Sequence, residues 1–333
     1  MPEPTGASPA RAPGAEIPAR PEPPLPIAIS DCLTGAEVRF DGGHKRSSFP
    51  YASFNDLFTY RGLCPEMAAG LGVPRVTLQL VGSAEAPRVI ENSDERRDLT
   101  ERIASQADAV RDQLDDVVGY VFMKNSPSCG LFRVKVYPDS GIPLPESRGV
   151  YAARVAELFP ALPLEECGRL KDPLLAENFV TRVFAFAHFK ALLADGLTAA
   201  RLIAFHSRYK YLLMAHSVSA YREAGKLLSN LKGDLDALAG RYLTLLMDGV
   251  SRPASRGGNA NVLQHLQGYV KHALDGRDRQ ELAASIDDYR RGDLPLLAPL
   301  TLLRHHLQRH ATDYALQQFY LEPHPAATLR RPL

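Results

Sequence analysis

The stretch Val117-Val-Gly-Tyr-Val-Phe-Met123 and the segment after it, Lys124-Asn-Ser-Pro-Ser-Cys-Gly130, indicate the fold of the first half of the chain. The nearly uninterrupted apolar run predicts a buried strand. Ser-Pro-Ser ends that strand, and Gly130 permits a tight backbone next to Cys129. A buried strand followed by a polar loop with a thiol is typical of an active site at the carboxyl edge of an α/β sheet.

Two earlier cysteines have similar surroundings. A short predicted strand ends in Asp31-Cys-Leu-Thr-Gly35, and another loop reads Arg61-Gly-Leu-Cys-Pro-Glu66. Each of these thiols lies near Gly or Pro, which leaves backbone N–H groups able to hydrogen-bond to sulfur. No Cys-x-x-Cys pair is present, so the spacing fits no zinc-finger pattern. We therefore interpret Cys32, Cys64 and Cys129 as ligands of one metal centre, with buried structural thiols as the alternative.

The fourth cysteine, Cys167, lies among charged residues in Leu164-Glu-Glu-Cys-Gly-Arg169, and we do not expect it to bind metal. Three thiolates can hold zinc with an open position, or a [4Fe–4S] cluster with one iron free of protein. Soft sulfur donors suit either metal. A cluster with four cysteines suits electron transfer, whereas a free iron can bind a substrate atom as a Lewis acid.

Length and composition are those of an ordinary globular protein. The chain has 333 residues, enough for two domains with separate cores, and 45% of its residues are hydrophobic and 23% charged. No apolar run approaches the about 20 residues that span a bilayer, so no membrane association is expected. The first 26 residues contain nine prolines, which predicts a disordered tail rather than a signal peptide. We expect a cytoplasmic protein, in which cysteines are ligands or nucleophiles rather than disulfides.

Charge is distributed unevenly along the chain. Residues 1–173 contain 19 basic and 24 acidic side chains, a balance of −5. Residues 174–333 contain 20 basic and 14 acidic side chains, a balance of +6, together with nine of the ten histidines. The mildly basic second half is compatible with a polyanionic partner.

The pattern of elements changes at about residue 170. Strands and helices alternate over 27–167, which predicts an α/β domain with a mostly parallel sheet and its ligand loops at the strand ends. Within this domain we predict helices at 53–60, 96–114 and 149–158, and strands at 76–81, 87–91 and 131–137. Residues 168–189 are interpreted as a connecting segment, and 190–333 as an all-helical domain. Helical patterns cover 174–194, 197–214, 218–231, 234–247, 261–274, 277–289, 296–310 and 313–320.

Three motifs in the same order resemble the thiouracil desulfidase family, over about residues 27–167. They are Asp31-Cys-Leu-Thr-Gly-Ala-Glu-Val-Arg-Phe-Asp-Gly-Gly-His-Lys-Arg46, Cys64-Pro-Glu-Met-Ala-Ala-Gly-Leu-Gly-Val-Pro-Arg75 and Lys124-Asn-Ser-Pro-Ser-Cys-Gly130. The resemblance implies an α/β protein whose three cysteines hold a [4Fe–4S] cluster with an open iron. It also implies hydrolytic removal of sulfur from thiolated uracil, without net redox. By motif position the ligands are Cys32, Cys64 and Cys129, the catalytic glutamate is Glu66 and the catalytic serine is Ser126.

The residue types suit this chemistry. A soft thiocarbonyl sulfur would bind an open iron. Glu66 would activate water or move a proton to the leaving sulfur, and Ser126 would hydrogen-bond to the base or to developing charge. Each has a structural alternative: Glu66 as a carboxylate at a helix N-terminus after Pro65, and Ser126 as a turn-forming residue.

Further candidate contacts to substrate or RNA lie in a glycine-containing loop and beside the third motif. Asp41-Gly-Gly-His-Lys-Arg46 offers glycine amides and a basic pair to a phosphate, with Asp41, His44 and Lys45 as the candidates. Alternatively, His44 hydrogen-bonds only to loop carbonyls. Lys124 is a further candidate.

The helical half resembles the YbgA-like helical domain. The motifs are His206-Ser-Arg-Tyr-Lys-Tyr-Leu-Leu-Met-Ala-His-Ser217, Asn261-Val-Leu-Gln-His-Leu-Gln-Gly-Tyr-Val-Lys271 and Tyr289-Arg-Arg-Gly-Asp-Leu-Pro-Leu-Leu-Ala-Pro299. Fused behind a desulfidase domain, this domain resembles the arrangement in bacterial tRNA 4-thiouridine desulfidases, which implies a role in holding RNA. Arg208 and Lys210 are candidate phosphate contacts, with Tyr209 and Tyr211 either stacking on bases or lying in the core.

We therefore predict an iron–sulfur desulfidase that converts 4-thiouridine in tRNA to uridine and releases hydrogen sulfide. The alternative within the enzyme class acts on free 2- or 4-thiouracil or on thiouridine nucleotides. An alternative of another class is a non-enzymatic RNA-binding protein with a structural zinc site. No obligate protein partner is implied.

Overall fold

The structure is a computed structural model that describes residues 16–54, 56–138, 142, 144–310 and 313–324. The chain forms two compact units. The sheet unit comprises Pro21–Ala187, Val250–Pro253 and His324, and the helical unit comprises residues 16–20, His188–Gly249 and Ala254–Pro323. The α/β and all-helical classes predicted for the two halves are confirmed.

Nine strands form two sheets within the described part of the sheet unit. The strands are β1 Leu25–Ser30, β2 Phe58–Leu63, β3 Leu78–Gly82, β4 Pro87–Glu91, β5 Asp94–Asp98, β6 Tyr120–Phe122, β7 Val134–Tyr137, β8 Leu144–Ser147 and β9 Leu164–Glu166.

Sheet A has the strand order β2-β1-β6-β9, and each neighbouring pair in it is parallel. Its central strands are apolar on both faces: the successive residues Ile27 and Ala28 in β1, and Tyr120 and Val121 in β6, are all fully buried. This burial explains why β1 and β6 read as continuous apolar runs instead of alternating patterns. Because the strands are parallel, all four carboxyl ends lie at the same edge of the sheet.

Sheet B has the order β5-β4-β3-β7-β8 and is mixed. Only β3 and β7 pair in parallel, and the other neighbours are antiparallel. One face of β7 packs inward through the buried Val134 and Val136, whereas Lys135 and Tyr137 alternate with them on the exposed face.

The helices of the described residues increase in length after residue 150. They are α1 Pro65–Ala68, α2 Thr100–Ala104, α3 Gln106–Ala109, α4 Arg111–Asp115, α5 Val150–Leu158, α6 Pro173–Ala194, α7 Ala199–His216, α8 Val218–Leu228, α9 Leu235–Gly249, α10 Arg256–Gln267, α11 Gly276–Arg291, α12 Leu297–His310 and α13 Asp313–Leu316. Inside the described ranges, no helix combines the length and apolar character that a bilayer-spanning segment requires.

Side-chain caps fix where several long helices begin. Thr198, Ser217, Ser255 and Asp275 precede α7, α8, α10 and α11, and each side chain accepts a hydrogen bond from a backbone N–H of the first turn. Such caps satisfy donors that have no partner inside the helix. The breaks between predicted helices are therefore encoded locally.

Two predicted elements differ from the structure. The helix predicted at 53–60 is wrong: a 3₁₀ turn at Tyr51–Ser53 is followed by β2, which pairs with β1 along its whole length. The long helix predicted at 96–114 is divided into α2, α3 and α4. Its apolar residues Leu99, Ile103, Ala107 and Leu114 are nevertheless buried, because the short helices keep the same face inward.

The predicted tail at 1–26 is described only from residue 16, and residues 1–15 lie outside the described residues. Ile17 is buried, the Arg201 guanidinium donates to the Glu16 carbonyl at 2.9 Å, and His188 Nε2 lies 2.9 Å from the Pro18 carbonyl oxygen. Residues 16–26 are therefore ordered, in contrast to the prediction, and residues 25 and 26 belong to β1.

Candidate active site

The three cysteines predicted as ligands line one cavity at the carboxyl edge of sheet A. Cys32 follows β1, Cys64 follows β2, and Cys129 lies in the loop after β6. The cavity has a volume of about 380 Å³, within the range of small-molecule sites. Since β2, β1 and β6 are adjacent and parallel, their carboxyl ends gather thiols from three distant segments of the chain.

Cys167 also follows a strand of sheet A, but it does not line this cavity. It comes directly after the edge strand β9 and is fully buried. Its backbone N–H donates to the Phe122 carbonyl at 3.0 Å, which joins it to the end of β6. Cys167 therefore lies outside the cavity that the other three thiols line, although it is near enough to Cys32 to contribute to the raised pKa of that thiol.

The start of helix α1 sets the surroundings of Cys64. Cys64 is the residue before the helix, and Pro65 occupies the first helical position, where its missing N–H costs nothing. Burial raises the pKa of the Cys64 thiol, while hydrogen bonds from the Met67 and Glu66 backbone amides act in the opposite direction. These amides would favour the thiolate once a metal replaces the proton.

Ser126 and Gly130 shape the loop that carries Cys129. Ser126 Oγ accepts hydrogen bonds from the backbone N–H groups of Ser128 at 3.2 Å and Cys129 at 3.0 Å. A side chain at Gly130 would lie 2.4 Å from Val134 Cγ2 and 2.8 Å from the Ser126 carbonyl, so only glycine fits. Ser126 is therefore a turn-forming residue, yet it also lines the cavity, and its hydroxyl proton is not used in these two bonds.

Ser30, the last residue of β1, contacts Cys129 and was missed by the sequence reasoning. Its side chain is 2% exposed, and its Oγ accepts the Met123 backbone N–H at 2.9 Å. Burial raises the pKa of Cys129 well above its usual range, and a hydrogen bond from Ser30 opposes that effect. A polar residue at the end of an apolar strand is the sequence signal that indicates such a contact.

Burial dominates the electrostatics of the thiols. It raises the pKa of Cys32 to about 12, with Arg39 acting in the opposite direction. Buried thiols of this kind are protonated at neutral pH when no metal is bound. Metal binding would therefore release protons into solution.

Glu66 and Arg75 form an ion pair in the wall of the cavity. Arg75 Nε donates to Glu66 Oε2 at 2.9 Å, and Arg75 Nη2 contacts the same oxygen. The guanidinium also donates to the carbonyls of Gly72 at 2.8 Å and Val38 at 2.9 Å. The two side chains are 15% and 7% exposed, so this pair is nearly buried. Arg75 therefore holds the Glu66 carboxylate in one place, a role that sequence spacing did not reveal.

Glu166, at the end of β9, fastens the chain immediately after Cys129 and Gly130. Its Oε1 accepts the backbone N–H groups of Leu131 at 2.8 Å and Phe132 at 3.0 Å. Burial raises the pKa of this carboxyl group, and the two amides oppose the increase. Glu166 thus connects the cysteine loop to the neighbouring strand.

The predicted phosphate loop is placed beside Cys32 but outside the cavity lining. The Lys45 backbone N–H donates to the Cys32 carbonyl at 2.7 Å, and Asp41 Oδ1 accepts the Gly43 N–H at 3.1 Å. His44 Nδ1 accepts the Arg46 N–H at 3.4 Å. One glycine amide and the histidine are thus used inside the loop itself. Lys124, by contrast, lines the cavity.

Arg208 and Lys210 lie on α7 in the helical unit. Lys210 Nζ is 4.9 Å from the centre of the Tyr211 ring and 5.1 Å from that of Tyr314, so its charge lies over two aromatic faces. Tyr209 and Tyr211 are 1% and 6% exposed. The Tyr209 ring therefore belongs to the core and has no face free for an RNA base, whereas Tyr211 also lines a cavity of the helical unit.

The donor set fits an iron–sulfur cluster. Three soft thiol donors line one cavity, with backbone amides near Cys64 and a hydroxyl near Cys129. Among the described residues, no three His, Cys, Asp or Glu side chains converge closely enough to hold a single metal ion. In a cluster each thiolate bonds to a different iron, so its cysteines need not converge on one point. The arrangement suits a cluster better than a single zinc ion.

Comparison with known proteins identifies two family models that match parts of the chain, one similar protein and one similar solved structure. A family model described as 2-thiouracil desulfurase matches residues 27–167, and one described as a protein of unknown function (DUF1722) matches residues 210–325. The uncharacterized protein YbgA of Escherichia coli (strain K12) is 36% identical over 151 residues, which cover 45% of this chain and 89% of YbgA. A solved structure, the [4Fe-4S]-dependent thiouracil desulfidase TudS, is 23% identical with a TM-score of 0.33, covering 46% of this chain and 97% of that one.

The two family models and the match to YbgA confirm the resemblance seen in the cysteine motifs and in the helical motifs. The 2-thiouracil desulfurase match ends at Cys167, directly after the last strand of sheet A. The chain therefore belongs to the family of YbgA through its helical half and carries a domain of the 2-thiouracil desulfurase family in front of it.

Proposed function

We propose that the protein is an iron–sulfur desulfidase that hydrolyses the C=S group of a thiolated pyrimidine, with 4-thiouridine in tRNA as its substrate. The observation that carries this proposal is the cavity at the edge of sheet A. Three thiols, a carboxylate fixed by an arginine, and a serine hydroxyl line the same 380 Å³ space. The net reaction replaces sulfur by the oxygen of water: both hydrogens of water leave with the sulfur as hydrogen sulfide, and no electrons are transferred.

Cys32, Cys64 and Cys129 would hold a [4Fe–4S] cluster. When bound, such a cluster would supply an iron without a protein ligand, a Lewis acid with affinity for the soft sulfur of the substrate. Cys167 lies outside the cavity lining and would leave that iron free.

Glu66 is the group that handles protons in this proposal. Its ion pair with Arg75 holds the carboxylate in one orientation within the cavity. A carboxylate placed in this way can accept a proton from the attacking water and pass it to the leaving sulfur. Ser126, whose oxygen is already fixed by two backbone amides, would donate its hydroxyl proton to the pyrimidine or to developing negative charge.

The helical unit supports RNA as the substrate over a free base. Residues 174–333 carry an excess of six basic side chains, and a free base would not require a second basic domain. Arg208 and Lys210 remain proposed phosphate contacts in this unit, and Asp41, His44, Lys45 and Lys124 remain proposed contacts near the cavity. The description of the matching family, which names 2-thiouracil, favours a free base as the second candidate substrate.

The test is loss of 4-thiouridine from native tRNA, measured by nucleoside mass spectrometry after anaerobic incubation with the reconstituted full-length protein. Free 4-thiouracil and 2-thiouracil are assayed in parallel. We expect turnover of tRNA to exceed turnover of the free bases. If only the free bases are turned over, the substrate is a free thiolated base and not RNA. If none of the three is turned over, the proposed desulfidase function is contradicted.

The proposed ligands are tested by single replacements with serine. Cys32→Ser, Cys64→Ser and Cys129→Ser should each abolish cluster binding, measured as iron content and visible absorption. Cys167→Ser is the matched control, since it also replaces a buried thiol at the end of a strand. Loss of the cluster in the control would contradict a three-cysteine site, and a colourless protein loaded with zinc would contradict the cluster altogether.

A further inference from the structure

A second cavity of about 670 Å³ continues the first one across the surface of the sheet unit. The two share Leu78, Asn125 and Pro127 in their walls. We call this second cavity the β7 groove, because it is lined by Lys135 and Tyr137 from the exposed side of β7 and by Arg133, the residue before that strand. A ligand that extends beyond the first cavity would enter this groove.

The β7 groove is positively charged within a half of the chain that is negative overall. Arg133 and Lys135 are exposed, and among the described residues neither has a carboxylate within salt-bridge distance. Arg169, also in the lining, pairs with Glu165 at 2.7 Å. Glu166 is the only acidic side chain in the described lining, and it is directed to the Leu131 and Phe132 amides. Within the part of the chain that the structure describes, Arg133 and Lys135 are therefore available to an anionic ligand.

Backbone conformation distinguishes the same region. Asn125, with φ of 58°, and Arg133, with φ of 53°, are the non-glycine residues with positive φ in the described part of the chain. Both line the β7 groove, and Asn125 also lines the first cavity. Non-glycine residues rarely adopt this conformation, and those that do cluster where ligands are held.

An aromatic ring completes the lining. Tyr137 is 40% exposed and lies on the same side of β7 as Lys135. An exposed ring on a strand, next to cations, is the arrangement on which proteins stack unpaired bases while binding the adjacent phosphates.

We propose that the β7 groove binds the single-stranded RNA that flanks the target nucleotide. Arg133 and Lys135 contact phosphates, and Tyr137 stacks on a neighbouring base. This inference rests on the proposed function, since the target nucleotide occupies the first cavity. It places part of the RNA-binding surface on the sheet unit itself, apart from the helical unit.

The test compares Arg133→Gln/Lys135→Gln with the control Arg88→Gln/Arg111→Gln in the full-length protein. The control removes the same two charges from exposed positions that line neither cavity. Binding of a fluorescent single-stranded RNA with one 4-thiouridine is measured by anisotropy as a function of salt. Each phosphate contact to a single strand contributes about 0.7 to the slope of log K against log salt, so losing two lowers the slope by about 1.4. Extrapolated from 1 M salt, that loss weakens binding about tenfold at 0.15 M salt.

Binding and turnover together distinguish the possible failures. We expect the ratio of kcat/KM for the oligonucleotide to that for 4-thiouracil to fall about tenfold in the double variant and to stay unchanged in the control. Equal salt slopes in the two variants would overturn the groove assignment even if the enzyme is active. If the double variant loses as much affinity for an Asp-rich peptide as for RNA, the groove binds anions in general and is not specific for RNA, which would overturn the proposal. If the enzyme shows no turnover but the double variant still lowers the slope of log K against log salt by the expected amount, the desulfidase proposal is contradicted. The groove would then remain an RNA-binding site.

Discussion

Replacing Arg75 by methionine should destabilise the sheet unit and stop turnover. This side chain makes the ion pair with Glu66 and hydrogen-bonds to backbone carbonyls in two loops. Arg75→Met keeps an unbranched apolar stem but removes the guanidinium. It would leave Glu66, 15% exposed, without its cation, and would leave the Val38 and Gly72 carbonyls without a donor. The perturbation therefore affects three segments around the cavity at once.

The expected loss follows from these contacts. Removing one partner of a buried ion pair costs about 3–5 kcal/mol, and each lost carbonyl bond adds about 1 kcal/mol. Water reaches part of Glu66, which reduces the penalty, so we expect a total of about 3–5 kcal/mol. For a unit of this size the loss corresponds to a decrease in Tm of about 10 °C.

A double-mutant cycle with Glu66→Gln isolates the ion pair. The chain has no Trp, so unfolding is followed by circular dichroism, and hydrogen exchange localises the change to the sheet unit. In the Glu66→Gln background, Arg75→Met leaves no unpaired charge behind, and it should then cost only about 2 kcal/mol for the lost carbonyl bonds. Equal costs of Arg75→Met in both backgrounds would refute the ion pair as the source of the effect.

Three further outcomes are expected. Glu166→Ala should speed hydrogen exchange in the loop after Cys129 and destabilise the sheet unit by about 2–4 kcal/mol, whereas Glu166→Gln retains an acceptor and should cost less; identical exchange in both would argue against this anchor. Ser126→Ala should lower cluster occupancy as well as turnover, since the same oxygen fixes the Cys129 amide, and full occupancy would limit Ser126 to catalysis. Burial lowers the pKa of His188 to about 4, below its unfolded value, so stability should fall by up to about 3 kcal/mol as pH decreases from 6.5 to 4. His188→Gln should flatten that slope in chemical unfolding, and an unchanged slope would assign it to other groups.

The sequence predicted the edge of sheet A well because its signals are local. An apolar run predicts a buried strand, and Gly or Pro after it predicts a loop, so Cys32 and Cys129 could be assigned to strand ends in advance. The starts of helices in the second half could be predicted equally well, because a capping residue such as Ser217 or Asp275 lies within one turn of the helix that it begins.

What could not be predicted depends on pairing between distant segments. Phe54, Leu57 and Phe58 have helical spacing, yet the pairing of β2 with β1 overrides that local preference. The three-residue strand β9 is too short to show any period. Arg75 is nine residues from Glu66, a separation that indicates no contact in any regular element; only the folded loop brings the two together.

The gathering of thiols by adjacent parallel strands has a consequence for maturation. Cys32, Cys64 and Cys129 come from segments that meet only when β2, β1 and β6 have paired, and such long-range parallel pairing is slow to form. The proposed cluster would therefore be inserted into a chain whose sheet is already assembled, through the opening of a cavity whose thiols still carry their protons. The cellular donor of the cluster would thus meet a folded acceptor. Loss of the cluster would return the protein to that folded receptive state and would not unfold it.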